Sequence, residues 1–161
     1  MGLVFLRLIP RSHCRDRHGR EGAECRTGEN CLTGGVSMPI STKIDLEADF
    51  TEHIATGELR DDEMFAAQKD FYENGPTRLQ LWNMSGCVVT GVTIGGMRTF
   101  IESAARHGKV RQSGKTAVIV SSQLQYGLAR MAEAFGEFAN IPFAFRVFKD
   151  REDAVDWLNE E

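Results

Sequence analysis

Long apolar runs are the first feature that this sequence lacks. No stretch of its 161 residues approaches the roughly 20 consecutive apolar side chains of a membrane-spanning helix, so we expect no insertion into a membrane. An excess of positive charge is also missing, because 19 Lys and Arg residues stand against 23 Asp and Glu residues, for a net charge of −4. This balance gives no electrostatic reason to expect a nucleic acid partner.

Cysteine is scarce and poorly placed for a disulfide framework. Three of the four cysteines lie in the first 31 residues, at Cys14, Cys25 and Cys31. Because disulfides staple the cores of small secreted domains, this distribution favours a reducing compartment, and we expect a cytoplasmic protein. His13 and His18 accompany those cysteines, but the absence of a Cys-x-x-Cys pair makes this a weak zinc signal. We therefore expect no metal site.

The first 37 residues differ from the rest of the chain. They carry six arginines against four acidic residues, and apolar side chains nearly vanish after Ile9. Such a segment cannot bury enough apolar surface to offset the entropy lost on ordering. We expect residues 1–37 to be a disordered extension and residues 38–161 to be one α/β domain. Met38 stands at this boundary and is an alternative start of translation.

Alternation of apolar and polar residues predicts an antiparallel hairpin at the start of the domain. Its strands are expected at 42–47 and 50–56, with Ile44 and Leu46 on one face. Gly57 is expected to end the second strand. A helix capped by Asp61 or Asp62 should follow and stop before the breaker Asn74-Gly75-Pro76.

Strands and helices then alternate along the chain. Further strands are expected at 78–84, 116–120 and 143–148, and helix caps at Thr93, at Ser121 or Ser122, and at Asp150. The run 116–120 suits a strand that is buried on both faces, and we take it as the centre of the sheet. The helix after it carries an apolar stripe, made of Leu124, Leu128, Met131, Ala132 and Phe135. The order ββαβαβαβα predicts an α/β fold with a mixed, mostly parallel five-stranded sheet, an N-terminal antiparallel hairpin and four helices.

Motifs for catalysis or cofactor binding fail on spacing or context. The Gly-Lys-Thr at 114–116 follows a helix and opens a strand, whereas a phosphate-binding loop does the reverse. Gly91, Gly95 and Gly96 have the spacing G-x-x-x-G-G, which is not the dinucleotide pattern G-x-G-x-x-G. No serine lies in a G-x-S-x-G elbow, and Cys87 has no base near it in sequence. We expect neither a cofactor nor enzymatic activity.

Several stretches of the domain carry a family resemblance together with its order of elements. They are Leu-Trp-Asn-Met-Ser-Gly at 81–86, Ala-Val-Ile-Val-Ser-Ser at 117–122, Tyr-Gly-Leu-Ala-Arg-Met-Ala-Glu at 126–133, Phe-Arg-Val-Phe at 145–148 and Ala-Val-Asp-Trp-Leu at 154–158. They resemble the SpoIIAA-like family of small bacterial proteins related to STAS domains. The resemblance implies a mixed sheet backed by helices, and binding or regulation rather than catalysis.

The same resemblance implies two classes of partner. STAS relatives bind proteins, some under control of a phosphorylated serine in an Asp-Ser-Ser-Gly type motif. The corresponding loop here runs from Thr90 to Gly95 and lacks that aspartate and both serines, so only Thr93 is a candidate phosphosite. CRAL-TRIO lipid carriers have a related fold, which makes a carrier of an apolar or lipid-like ligand the alternative function. A cryptic enzyme is a third possibility.

A functional rim is expected beyond the carboxyl ends of the parallel strands, where open α/β sheets bind ligands. It comprises Thr90 and Thr93 after the third strand, and Ser121 and Ser122 after the fourth. Both segments lead into helix N-termini, which favour anions. The hydroxyls are either helix caps alone or contacts for a small anionic ligand or a protein partner. A second copy of this chain is one such partner.

Overall fold

One sheet of five strands organises the part of the chain, residues 39–111 and 113–160, that the computed structural model describes. The strands are β1 (Ile40–Asp45), β2 (Phe50–Arg60), β3 (Leu79–Gly91), β4 (Lys115–Ile119) and β5 (Ala144–Phe148). The helices are α1 (Asp61–Glu73), α2 (Ile94–His107), α3 (Gln123–Ala139) and α4 (Arg151–Asn159), and a short 3-10 turn (Gly108–Arg111) follows α2. The predictions for residues 1–37, including the zinc ligands, and for Met38 lie outside the described residues.

The strands are arranged in the sheet in chain order. β1 pairs antiparallel with β2, and the pairs β2–β3, β3–β4 and β4–β5 are parallel. The predicted mixed sheet with an N-terminal hairpin and four helices is therefore confirmed. Within the described residues, no helix is both long and apolar enough to cross a membrane.

The centre of the sheet is β3, which corrects the prediction that the strand at 116–120 is central. β3 has 13 residues and pairs with both β2 and β4. The shorter β4 lies between β3 and β5, and residues 116–120 are all buried. An apolar run reports that a strand is covered on both faces, but it carries no information about its place in the strand order.

The two faces of the sheet bury separate cores. On one face α1, α2 and α3 cover a large core that includes Trp82, Met84 and Val118. On the other face α4 covers a smaller core built around Leu81 and Ile119. The helices that begin after Thr93 and Ser122 both pack on the first face.

The hairpin departs from its predicted pattern. Ile40 is the buried residue of β1, whereas Ile44 and Leu46 are 51% and 80% exposed. Leu46 lies in the turn, which Asp45 stabilises by accepting hydrogen bonds from the next backbone N–H groups. Ile40 and Thr42 share a surface groove with α1, whereas the later residues of this edge strand are exposed.

β2 and β3 both continue beyond their predicted ends. Gly57 adopts a φ of +70°, yet β2 runs on to Arg60. Residues 85–91 lie beyond the predicted strand at 78–84, but they extend β3 and pair with the end of β2. At two places three residues of β3 span the same register as two of β2, which marks bulges that bend the pair. Glycine and polar residues at these bulges concealed the strand in the sequence.

The packed face of α3 is rotated from its predicted stripe. The predicted Leu124 is 56% exposed, and Ile94 at the start of α2 is 61% exposed. The residues of α3 that are buried are Gln125, Ala129, Ala132 and Gly136. Small side chains allow α3 to approach the sheet closely, so the largest apolar residues do not all mark the packed face.

Candidate functional site

The four predicted rim residues fall into two groups. Ser121 and Ser122 lie beside Ser85, because the Ser121 hydroxyl donates to the Ser85 carbonyl at 3.0 Å. Thr90 is five residues further along β3, which at ~3.3 Å per residue separates the groups by up to about 16 Å. Thr93 lies beyond Thr90, at the start of α2. The expectation that the third and fourth strands end at one edge was wrong, because β3 extends well past β4.

The N-terminus of α3 is closed by its own side chains. Ser122 is the N-cap, and its hydroxyl accepts from the Gln125 N–H at 3.2 Å. In return the Gln125 side-chain oxygen accepts from the N–H groups of Ser121 and Ser122 at 2.7 and 3.0 Å. The predicted cap is therefore present at Ser122, and the hydroxyls of Ser121 and Ser122 both make hydrogen bonds within the protein.

Gln125 also ties α3 to the bulged part of β3. Its side-chain N–H₂ group donates to the carbonyl oxygens of Met84 and Cys87, both at 2.8 Å. A buried amide with four such partners makes the junction rigid. The sequence analysis missed Gln125, although the spacing Ser-x-x-Gln of a capping box was a visible signal.

The N-terminus of α2 holds an internal carboxylate. Thr93 is its N-cap and accepts from the Gly96 N–H at 2.9 Å. The Thr93 hydroxyl donates to Asp61 Oδ2 at 2.6 Å, and the Thr93 N–H donates to Asp61 Oδ1 at 3.0 Å. Asp61 is the first residue of α1, so this contact joins the starts of two helices. The carboxylate takes the position that an anion would favour at this helix end.

Gly96 leaves the room that Asp61 occupies. A β-carbon at position 96 would lie 2.1 Å from Cγ of Asp61, whereas one at Gly95 would meet nothing within 4 Å. We expect Gly96→Ala to lower the free energy of unfolding by roughly 1–2 kcal/mol, because Asp61 must leave Thr93. Gly95→Ala should raise it by up to ~1 kcal/mol, since alanine is the better helix former. Urea unfolding compares the two variants, and equal stabilities would contradict the role of Asp61.

Apolar side chains are exposed around both helix starts. Val88, Ile94 and Leu124 are all more than half exposed, and we call these three residues the apolar edge patch. Val88 follows Cys87 and Leu124 precedes Gln125, and the Gln125 side chain donates to the Cys87 carbonyl oxygen at 2.8 Å, so the two residues flank the junction of β3 and α3 in the chain. Burial raises the pKa of the Cys87 thiol, and this cysteine packs as a small apolar side chain in the larger core.

A buried arginine organises the opposite end of the parallel strands. Arg111 is 3% exposed, and burial lowers its pKa despite the nearby Tyr72. Its hydrogen bonds go to the carbonyl oxygens of Thr77, Arg78 and Lys115 and to the side chains of Gln80 and Thr116. These bonds join the starts of β3 and β4. The sequence analysis missed this role, because an arginine between a helix and a strand usually lies on the surface.

His53 continues this network under the helices. Its Nδ1 lies 2.9 Å from the Thr42 hydroxyl and its Nε2 lies 3.1 Å from the Gln80 side-chain nitrogen. The ring also packs on Trp82 with centroids 4.2 Å apart. Burial, helped by the charge of Arg111, lowers the pKa of His53 to about 4, so the ring is neutral at pH 7.

The free energy of unfolding should therefore decrease as the pH is lowered from neutrality. The His53 pKa is 6.5 when unfolded and about 4 when folded, so the unfolded state takes up the proton first as the pH falls. The stability is complete above pH 6.5, and roughly 3 kcal/mol of it is lost by about pH 4. Urea unfolding across this range measures the loss. His53→Gln should make the free energy of unfolding less dependent on pH over this range. His107→Gln, at an exposed site, should leave the pH dependence as it is in wild type. Equal slopes in wild type and His53→Gln would contradict the assignment.

A small cavity lies between the sheet and the three helices. Its volume is about 50 Å³, and apolar side chains such as Trp82, Met97 and Val118 line most of it. A cavity of about 150 Å³ is known to bind one benzene molecule. A space of this size therefore does not favour the alternative function of a lipid carrier.

Comparison with known proteins supports the architecture. No family model matches the sequence, and no curated protein matches it. The chain is similar to the crystal structure of an uncharacterized protein from Shewanella loihica, of the DUF3478 family with a SpoIIAA-like fold, at 21% identity and a TM-score of 0.50. The match covers 74% of this chain and 91% of the other. At this identity the likeness concerns the fold, which confirms the resemblance at that level: the chain has a SpoIIAA-like fold.

Proposed function

We propose that this domain is a non-enzymatic binding module of the cytoplasm that recognises a protein partner through the apolar edge patch. The observation that supports this most is the exposure of Val88, Ile94 and Leu124 on a frame fixed by Gln125 and Asp61. Large apolar side chains that remain exposed along one edge of a rigid frame are typical of protein-binding surfaces. The proposal requires neither a cofactor nor a metal.

A protein partner fits this edge better than a small anionic ligand does. At the start of α2 the favourable position is filled by the Asp61 carboxylate. At the start of α3 the Gln125 side-chain oxygen accepts hydrogen bonds from the Ser121 and Ser122 N–H groups, which are therefore not free for an anion. The Thr90 hydroxyl faces another carboxylate, since it donates to Glu58 at 3.3 Å. In this proposal the four rim hydroxyls flank the partner surface rather than hold an anion.

Phosphorylation of Thr93 would give this surface a switch. The side chain is exposed, and its Oγ1 lies 2.6 Å from Asp61 Oδ2. A phosphate with a charge of about −2 would repel that carboxylate. The start of α1 would then separate from the start of α2 and shift Ile94, the residue that follows Thr93. Partner binding would change because the patch changes shape.

Affinity capture with matched variants tests the partner surface. The double variant Val88→Glu/Leu124→Glu places charge on the patch, and Phe138→Glu is the control. Phe138 is 87% exposed and lies near the opposite end of α3 from Leu124. We expect both variants to melt like wild type, since surface substitutions change stability by about 0.5 kcal/mol or less.

The expected result is a protein retained by wild type and Phe138→Glu but bound at least tenfold more weakly by the double variant, a loss of ~1.4 kcal/mol. Equal retention by all three proteins would overturn the proposal. Analytical ultracentrifugation of the same proteins identifies a homodimer, because only the double variant should then dissociate.

A further inference from the structure

Two spaces on the helical side of the sheet share a wall. A surface groove of about 360 Å³ lies between α1 and α2, and the core cavity of about 50 Å³ lies beneath it. Gln68 and Tyr72 of α1 line both spaces. The separation between groove and cavity is therefore made by these two side chains.

Tyr72 is the less buried half of that wall. Gln68 is buried and held by a hydrogen bond from its side-chain N–H₂ group to the Phe100 carbonyl at 3.1 Å. Tyr72 is half-buried and packs through its ring against Phe71 and His107, with centroids 5.1 and 5.5 Å apart. Rotation of the Tyr72 side chain would open the cavity into the groove. The groove has the volume of a small-molecule site, for which the usual range is ~300–1,000 Å³.

The inner end of this space favours an aromatic ring. Trp82 and Phe100 line the cavity and meet edge to face, with centroids 5.6 Å apart. Phe143 lines it from the end next to β5. Aromatic side chains in such arrangements receive a further ring by stacking or edge contact.

The same end carries a positive charge. Arg111 lies behind Gln80 and Thr116, two lining residues to which it donates at 3.3 and 2.8 Å. All five hydrogen-bond acceptors around Arg111 are uncharged. The Asp49 carboxylate acts on Arg111 through space and is itself paired with Arg78 at 4.0 Å. In the groove, Lys69 and Glu73 lie 3.8 Å apart and offset one another. A negative group near Tyr72 therefore meets a net attractive field, which is stronger in a buried site than in water.

We propose that the groove and the cavity form one binding site for a small planar aromatic carboxylate, with the Tyr72 side chain as its gate. The ligand ring takes the place that the Tyr72 ring vacates and reaches the Trp82 end of the cavity. The carboxylate stays at the wall, on the side of Arg111. This site shares no residue with the apolar edge patch, so the binding of the aromatic carboxylate can be tested separately from the binding of the proposed protein partner.

Calorimetric titration with 2-naphthoate and with its neutral analogue 2-naphthylmethanol tests the site. Tyr72→Ala removes the gate and should bind 2-naphthoate at least tenfold more tightly than wild type. The alcohol should bind Tyr72→Ala at least tenfold more weakly than the acid, since it gains nothing from Arg111. Val88→Glu/Leu124→Glu is the control and should bind 2-naphthoate as wild type does, whether or not it has lost a protein partner.

Three results of these titrations would overturn the proposal. They are absence of 2-naphthoate binding to Tyr72→Ala at the solubility limit, equal affinity of wild type and Tyr72→Ala, and equal affinity of Tyr72→Ala for acid and alcohol. A second variant on that background locates the ligand: Ala104 is buried and lines the cavity, and Ala104→Met fills space there. Ala104→Met should weaken 2-naphthoate binding to Tyr72→Ala at least tenfold. If Tyr72→Ala/Ala104→Met is folded and binds 2-naphthoate as tightly as Tyr72→Ala does, the site is also rejected.

Discussion

Replacing Arg111 with alanine should lower the free energy of unfolding by roughly 3–5 kcal/mol. The guanidinium satisfies three backbone carbonyl groups and two side chains at the starts of β3 and β4. Alanine removes all five of these hydrogen bonds, although the Arg78 carbonyl oxygen keeps the Lys115 N–H and the Gln80 side-chain oxygen keeps the Thr116 hydroxyl. It also removes the stacking of the guanidinium over Phe143, at 4.6 Å from its centroid. Urea unfolding followed by circular dichroism measures the loss.

Two further variants separate the geometry of Arg111 from its charge. Arg111→Lys keeps the charge but offers three donors without the planar fork, so it should recover only part of the loss. Arg106→Ala removes an exposed arginine from α2 and should change stability by about 0.5 kcal/mol or less. If Arg111→Ala costs less than ~1 kcal/mol, water replaces the guanidinium and the network does not hold the strands together.

Ile119→Ala should lower the free energy of unfolding by ~2–5 kcal/mol, the usual cost of an unfilled space in a packed core. Ile119 is 3% exposed and belongs to the smaller core beneath α4, with Leu81 and Leu158. Val110→Ala is the control. Val110 is 64% exposed, so its replacement should change the free energy of unfolding little. Guanidinium unfolding compares them, and a loss below ~1 kcal/mol for Ile119→Ala would mean that α4 does not seal this face of the sheet.

The elements that the sequence predicted well are those whose signals are local. The run 116–120 reads as a buried strand from its own residues, and the breaker Asn74-Gly75-Pro76 ends α1 as expected, after Glu73. The caps Thr93 and Ser122 also follow from residues next to a helix. In each case the determining interactions lie within a few residues, which is the range that periodicity and capping rules cover.

The features that the sequence did not predict depend on distant partners. Residues 85–91 have weak strand character of their own and extend β3 because β2 runs beside them. The carboxylate at Thr93 comes from Asp61, 32 residues earlier, and only Gly96 leaves space for it. Arg111 likewise finds its acceptors on two strands. No pattern within one segment reports such pairings, so the two halves of the predicted rim could not be placed from sequence.

The agreement between strand order and chain order has a consequence for synthesis on the ribosome. Each strand from β2 onward can pair with the strand made just before it, so the sheet can grow one strand at a time while the chain emerges. Pairing between neighbours in sequence also keeps the loop-closure cost of each step low. The face that α4 covers, however, stays open until that last helix has been made. A nascent chain that stalls before α4 would expose Leu81 and Ile119, and this intermediate is the one that a chaperone would need to protect.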